Sequence, residues 1–368
     1  MITMKILRKI VSDLKPLSWE EGKRTKFSRE TINLLYGENP LPQLDVVKKK
    51  IIAELDKMNL YPESMGYNTI DLISEATSFS DKNIVVDNGI DGVLNLLAKT
   101  IIDPGDNVIV TPPTFPVYAS TTKLMNGIVT EVTLEDDFSL DINKLMKAIN
   151  EKTKVIYISN PNNPTGNILL TNKQIEFILN NFSGLLVIDE CYYGICKETA
   201  IDLVNKYDNI IILRSFSKAL NLAGLRIGYA VGPKYLISAM KQVLNDCNPF
   251  VLNRLSQASS IAIRYQDILS KQFISSKKRF KSKLESINKL KIIDTETSFL
   301  LADVSKIDIK ASEIISKLSN RGILIKDCSV YGFEDIYLRI SIPKKELEDK
   351  VITNLREVVD NICKGKLK

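Results

Sequence analysis

The chain has 368 residues, 44% apolar and 26% charged, which suits a folded protein long enough for two domains. Its 50 basic and 44 acidic residues leave a net charge of +6, scattered without the basic stripe that nucleic acid requires. It contains no histidine, which excludes Ser-His-Asp and Cys-His catalysis and leaves proton transfer near neutral pH to Lys, Asp, Glu, Tyr or Cys.

Arg8, Lys9, Asp13 and Lys15 interrupt the N-terminus, so no signal peptide is expected. No stretch reaches the roughly 18 to 20 apolar residues of a membrane span. The cysteines (Cys191, Cys196, Cys247, Cys328, Cys363) are odd in number and irregularly spaced. They read as reduced thiols of a cytoplasmic protein, and no metal site is expected.

In chain order, apolar runs at 83–86, 107–110, 154–159, 185–188, 209–213 and 226–231 are rich in β-branched residues and lack polar alternation. They predict strands covered on both faces. Helical stretches at 92–100, 142–150 and 172–180 lie between them, which is the α/β pattern. The loops after the strands hold the unusual residues. Since ligands of open α/β sheets bind beyond the carboxyl ends of the strands, one shared pocket is expected there. Beyond about residue 263 the pattern changes to a charged helix at 271–288 and shorter strands at 298–304, 322–326 and 336–342. The division predicted is a large domain over 45–262 and a smaller α+β domain from 1–44 with 263–368.

The strongest local signal is Ser215-Phe216-Ser217-Lys218, with Gly224-Leu225-Arg226-Ile227-Gly228 following. A lysine after an apolar run, with two hydroxyls and an arginine nearby, fits a reactive amine on a pocket floor. Ser215, Ser217 and Arg226 suit a phosphate. Asn160-Pro161-Asn162-Asn163-Pro164-Thr165-Gly166 is more rigid than a turn needs and fixes the Asn163 amide at the sheet's edge. Asp189 ends the run Leu185-Leu186-Val187-Ile188, where a carboxylate is costly unless a cation meets it; taken alone, it could equally be a helix N-cap. Tyr192 lies within reach of the same pocket. Asn88-Gly89-Ile90-Asp91 offers backbone N–H groups to an anion. In Pro112-Pro113-Thr114-Phe115, Phe115 is either a ring-stacking residue or part of the core.

In this order the motifs resemble the class I/II aminotransferases, pyridoxal 5′-phosphate (PLP) enzymes of fold type I. The resemblance implies a seven-stranded, mostly parallel sheet between helices plus the smaller α+β domain. It implies Lys218 as the amine that condenses with PLP and shuttles the proton, and Asp189 opposite the pyridinium nitrogen. Asn163 and Tyr192 would hold the phenolic oxygen, and Phe115 would stack on the ring. The Ile90 and Asp91 backbone, Ser215, Ser217 and Arg226 would hold the phosphate. Tyr61, in Leu60-Tyr61-Pro62, matches the tyrosine that reaches the phosphate from a partner subunit, implying a homodimer. Arg339, in Tyr337-Leu338-Arg339-Ile340-Ser341, matches the substrate-carboxylate arginine.

Glu38-Asn39-Pro40, Leu222-Ala223-Gly224-Leu225-Arg226 and Gly322-Ile323-Leu324-Ile325-Lys326 resemble most the histidinol-phosphate aminotransferase subgroup. Lys326 stands where that subgroup carries an arginine for the substrate's distal group, and a point charge is no fork. Leu17 replaces an aromatic, with Trp19 two residues on, and Tyr36 lies in the loop before Glu38. Lys326, Tyr36 and Trp19 are therefore expected at the substrate. The alternatives are a threonine-phosphate decarboxylase-like lyase and a broad aromatic or aspartate aminotransferase. A non-enzymatic PLP-binding regulator is disfavoured because every catalytic position is filled.

Overall fold

The computed structural model describes residues 8, 10–11, 31–307 and 309–365. Its strands are β1 (Ile32–Leu34), β2 (Ile84–Asn88), β3 (Asn107–Val110), β4 (Ile128–Glu131), β5 (Thr153–Ser159), β6 (Leu185–Asp189), β7 (Ile210–Ser215), β8 (Ile227–Val231), β9 (Lys291–Ile293), β10 (Phe299–Asp303), β11 (Ile323–Asp327) and β12 (Tyr337–Ser341).

β2 to β8 form one seven-stranded sheet in the order β2-β8-β7-β6-β5-β3-β4. β8 runs antiparallel to β2 and β7, and the other pairings are parallel. Ile156, Ile188 and Ile212 are fully buried at its centre, each contributing roughly 1.5–3 kcal/mol. Parallel pairing brings Ser159 opposite Asp189, with the end of β7 alongside. The polar ends of three strands thus meet at one edge.

The second sheet has the order β1-β11-β12-β10-β9, with β1 parallel to β11 and the other pairs antiparallel. The N-terminal strand thus joins the C-terminal part of the chain. Two large apolar cores result, beside a small cluster of Leu301, Cys328, Tyr331 and Phe333. One draws on residues from Val47 to Leu269 and the other mainly on Ile32, Leu34 and residues from Phe273 to Ile362.

Three differences from the sequence reading matter for the site. The helix expected at 92–100 spans Gly89–Ile101, which puts Ile90 and Asp91 in its first turn. The strand expected from 226 begins at Ile227, because Arg226 sits at φ +52°. β7 runs on to Ser215. β1, β4 and β9 were not anticipated: β4 is a partly exposed edge strand, and the others have three residues each, too few to display a period. Among the described residues no helix is long and apolar enough to cross a membrane, and no three His, Cys, Asp or Glu are grouped to hold a metal.

Candidate active site

A cavity of about 380 Å³ opens beyond the carboxyl ends of β5, β6 and β7. Its lining includes Ile90, Asp91, Phe115, Asn163, Asp189, Tyr192, Ser215, Ser217, Lys218, Arg226 and, from the second sheet, Arg339. The structure thus gathers these eleven expected residues, and Tyr36, around one space.

The Lys218 amine donates to the carbonyls of Tyr36 (2.8 Å) and Gly37 (3.1 Å). Burial pushes its pKa down to about 8, and the nearby Arg339 and Arg226 act in the same direction while Cys191 and Glu38 oppose. An amine that sheds its proton this readily is a usable nucleophile and base near neutral pH. Asp189 is 2% exposed. Its Oδ2 accepts from the Tyr118 hydroxyl at 2.7 Å and its Oδ1 from the Cys191 amide at 2.9 Å. Desolvation nevertheless raises its pKa to about 6, and among the described residues no ion pair reaches it. A buried acid held by two donors but lacking a cation is suited to meet one on a ligand.

An anion cup lies on another side. Gly89 has φ +74°, and a Cβ there would stand 2.5 Å from Arg226 Nη2, so only glycine lets the guanidinium lie against the start of the helix. Gly228 is tighter still: its Cβ would fall 2.3 Å from the Gly89 carbonyl carbon. The cup is closed by Ser215, whose hydroxyl accepts from the Ser217 amide (3.0 Å), and by Arg226, paired with Asp91 at 2.8 Å. Helix N–H groups, hydroxyls and a half-exposed guanidinium are the usual grip on a phosphate.

The small-sheet side presents Arg339 from β12. Its guanidinium donates to Asn163 Oδ1 (2.7 Å) and the Leu35 carbonyl (2.6 Å), and it lies 4.9 Å from the Phe299 ring centroid. Its buried Nε has no partner. A flat phosphorylated pyridine aldehyde fits this donor set: amine for the aldehyde, acid for the ring nitrogen, cup for the phosphate, and Phe115 and Cys191 in the wall.

The remaining expectations land elsewhere. Lys326 is buried on β11 as the cross-strand neighbour of Arg339, with its amine 5.9 Å from the Tyr331 ring centroid, and it does not line the cavity. Tyr61 is 78% exposed, stacks on Phe250 at 4.7 Å and also stays outside this chain's cavity. Trp19 lies outside the described residues.

Sequence reasoning missed Tyr118, Glu38, Tyr331, Ser159 and Cys191, all in the lining. For Tyr118 a signal existed: it lies in the first turn of the helix that follows Pro112-Pro113-Thr114-Phe115, and its ring meets that of Phe115 edge to face at 5.6 Å. Its ring also stacks on Tyr157 at 5.0 Å. Tyr118→Phe removes one of two donors to Asp189. We expect kcat to fall roughly 10-fold, since a hydrogen bond to a charged group is worth about 1.5–3 kcal/mol. Unchanged kcat across pH 6–9 would show that Asp189 needs no such brace.

The family model for aminotransferases of class I and II matches residues 29–355. A histidinol-phosphate aminotransferase of Methanocaldococcus jannaschii is 33% identical over 376 residues, covering 96% of this chain and 97% of its own. That of Methanosphaera stadtmanae is 34% identical over 337 residues, covering 90% and 91%. Among solved structures, a histidinol-phosphate aminotransferase from Sinorhizobium meliloti in complex with pyridoxal-5′-phosphate superposes with a TM-score of 0.86 at 22% identity, covering 98% of this chain and all of that one. A Thermus thermophilus aspartate aminotransferase with maleate gives 0.78 at 21% identity, with the same coverage, so these two likenesses bear on the fold. With the family match running over most of its length, the chain belongs to the class I and II aminotransferases.

Proposed function

We propose that this chain is a PLP-dependent aminotransferase that exchanges an amino group between glutamate and imidazole-acetol phosphate, a step of histidine biosynthesis. One observation carries the chemistry: Lys218, Asp189 and Arg339 face a single cavity, although they come from two different sheets. The substrate is argued from the relatives, which share about a third of their residues with this chain over nearly its full length.

When bound, PLP supplies an electron sink for the electrons released at the substrate Cα. The protein's share is positioning and proton handling. Asp189 holds the ring nitrogen protonated; Lys218 carries the proton that leaves Cα; Arg339 offers a guanidinium to the substrate carboxylate or phosphate; Tyr192 and Asn163 fix the phenolic oxygen. The deep position of Lys218 limits competing water.

A half-reaction screen tests the substrate. Histidinol phosphate mixed with the PLP-loaded enzyme should bleach the visible band faster than equal concentrations of phenylalanine, aspartate or threonine phosphate. Faster bleaching by phenylalanine or aspartate makes the protein a broad aminotransferase, and release of CO₂ from threonine phosphate makes it a lyase.

We further infer a cytoplasmic homodimer in which Tyr61 reaches the partner's phosphate cup; its exposure and the stacked Phe250 support that reading. Tyr61→Phe should then weaken PLP retention several-fold, read by dialysis of the loaded protein. A fully active monomer in sedimentation would refute it. We also keep the division into a large domain over 45–262 and a small one over 1–44 and 263–368, which the two separate apolar cores support.

A further inference from the structure

We propose that Lys277, far along the helix Gln266–Glu285 and outside the cavity lining, is a positioning residue for the reaction. Through the turn 294–298 it holds both the Gly37 carbonyl beside Lys218 and the loop that carries Asn163 beside Arg339.

The Lys277 amine is buried and donates to two carbonyls of that turn, those of Thr295 and Thr297, the latter at 2.8 Å. No carboxylate among the described residues lies within ion-pair distance of it. Burial brings its pKa down to about 8, with Glu296 and Asp294 pulling the other way and Lys281 adding to the fall. Burying an ammonium that only carbonyls satisfy is expensive, and a methionine would fill the same space without that cost. The amine's N–H groups give what methionine lacks, a fixed grip on two carbonyls of one turn.

From this turn two links reach the site. The Ser298 hydroxyl donates to the Gly37 carbonyl at 2.6 Å, the same oxygen that accepts from Lys218, while the Gly37 amide donates to Ser341 at 2.9 Å. On the other side, the Glu296 amide donates to the Gly166 carbonyl at 2.7 Å. Thr295 rests so closely on Gly166 that a Cβ there would lie 2.5 Å from its methyl carbon. Gly166 closes the segment 160–166, in which Asn163 accepts from Arg339. One buried cation therefore braces the amine side and the guanidinium side of the cavity together.

The kinetic part of the test rests on the proposed transamination; the exchange part does not. In Lys277→Met, kcat/KM should fall at least 10-fold for amino donor and keto acid alike, since misplacement by about 1 Å can cost up to 10²-fold. KM should change more than kcat. In Lys277→Ala, added propylamine should restore part of the loss. In the cofactor-free protein, amides of 36–38 and 294–298 should exchange hydrogen faster in Lys277→Met while those of β5 to β7 keep their protection. Wild-type kcat and KM, or unchanged exchange, would overturn the proposal. If the Lys277 variants do not fold, Ser298→Ala cuts the turn from Gly37 with the amine in place, and wild-type constants there overturn it equally. A wild type that turns over none of the donors would defeat the substrate reading and leave the exchange result to decide on Lys277.

Discussion

Lys218→Ala should reduce amino transfer by at least roughly 10⁴-fold and remove the visible absorption band of the loaded enzyme. Positioned proton transfer alone is worth about 10² to 10⁴, and this residue would supply the covalent anchor as well. The local structure gives the effect its size. The amine is held by two carbonyls, which accept but cannot donate, so the neutral form is not penalised by a lost ion pair. Among the described residues no other lysine lines the cavity to take over. A variant that retained more than about 1% of wild-type turnover in a burst-free assay would sink the assignment, and with it the role of the whole cavity.

Asp189→Asn should lower kcat roughly 10² to 10⁴-fold with the fold intact. The carboxyl is buried, and a buried pair broken on one side costs about 3–5 kcal/mol, which corresponds to that range of rate. Asparagine keeps the shape, its oxygen accepting from the Cys191 amide while its NH₂ donates to the Tyr118 hydroxyl, so thermal unfolding should move little while turnover collapses. The cofactor-free protein adds a check on sign. A folded-state pKa raised to about 6 means that the native state binds more protons than the unfolded chain between about pH 4 and 6. The Asp189 contribution to stability is therefore present below that window and lost as pH rises through it, and Asp189→Asn should flatten this part of the stability curve. An unflattened curve would mean that Asp189 is not strained by burial.

Much of this was legible because buried parallel strands are long apolar runs, and the polar residues just past the end of each run stand out. Ser215, Ser217, Lys218 and Asp189 were found in that way, and β5 to β7 bring them together. Arg339 was found by resemblance, since an arginine on a short strand carries no mark of burial; here it is 4% exposed. Two lining residues on irregular backbone were not singled out. Tyr331 lies after β11 in a short turn, and Glu38 sits in a loop whose course is set by long-range bonds such as Gly37 to Ser341. Lys326 was placed at the substrate by its position along β11; it pairs across the ladder with Arg339 and so shares that residue's face, with its amine 5.9 Å from the ring of the lining residue Tyr331 while Lys326 itself is not among the lining residues.

The contact of Gly228 with Gly89 limits how this enzyme can diversify. The floor of the anion cup is bare main chain pressed on main chain, so no replacement at either site could widen or narrow it without moving a strand. Because the cup is the part that grips the phosphate of the cofactor, changes of substrate preference fall to other lining residues such as Tyr36, Glu38 and Tyr331. A mutational library for altered substrates should spare the two glycines and spend its diversity on those three.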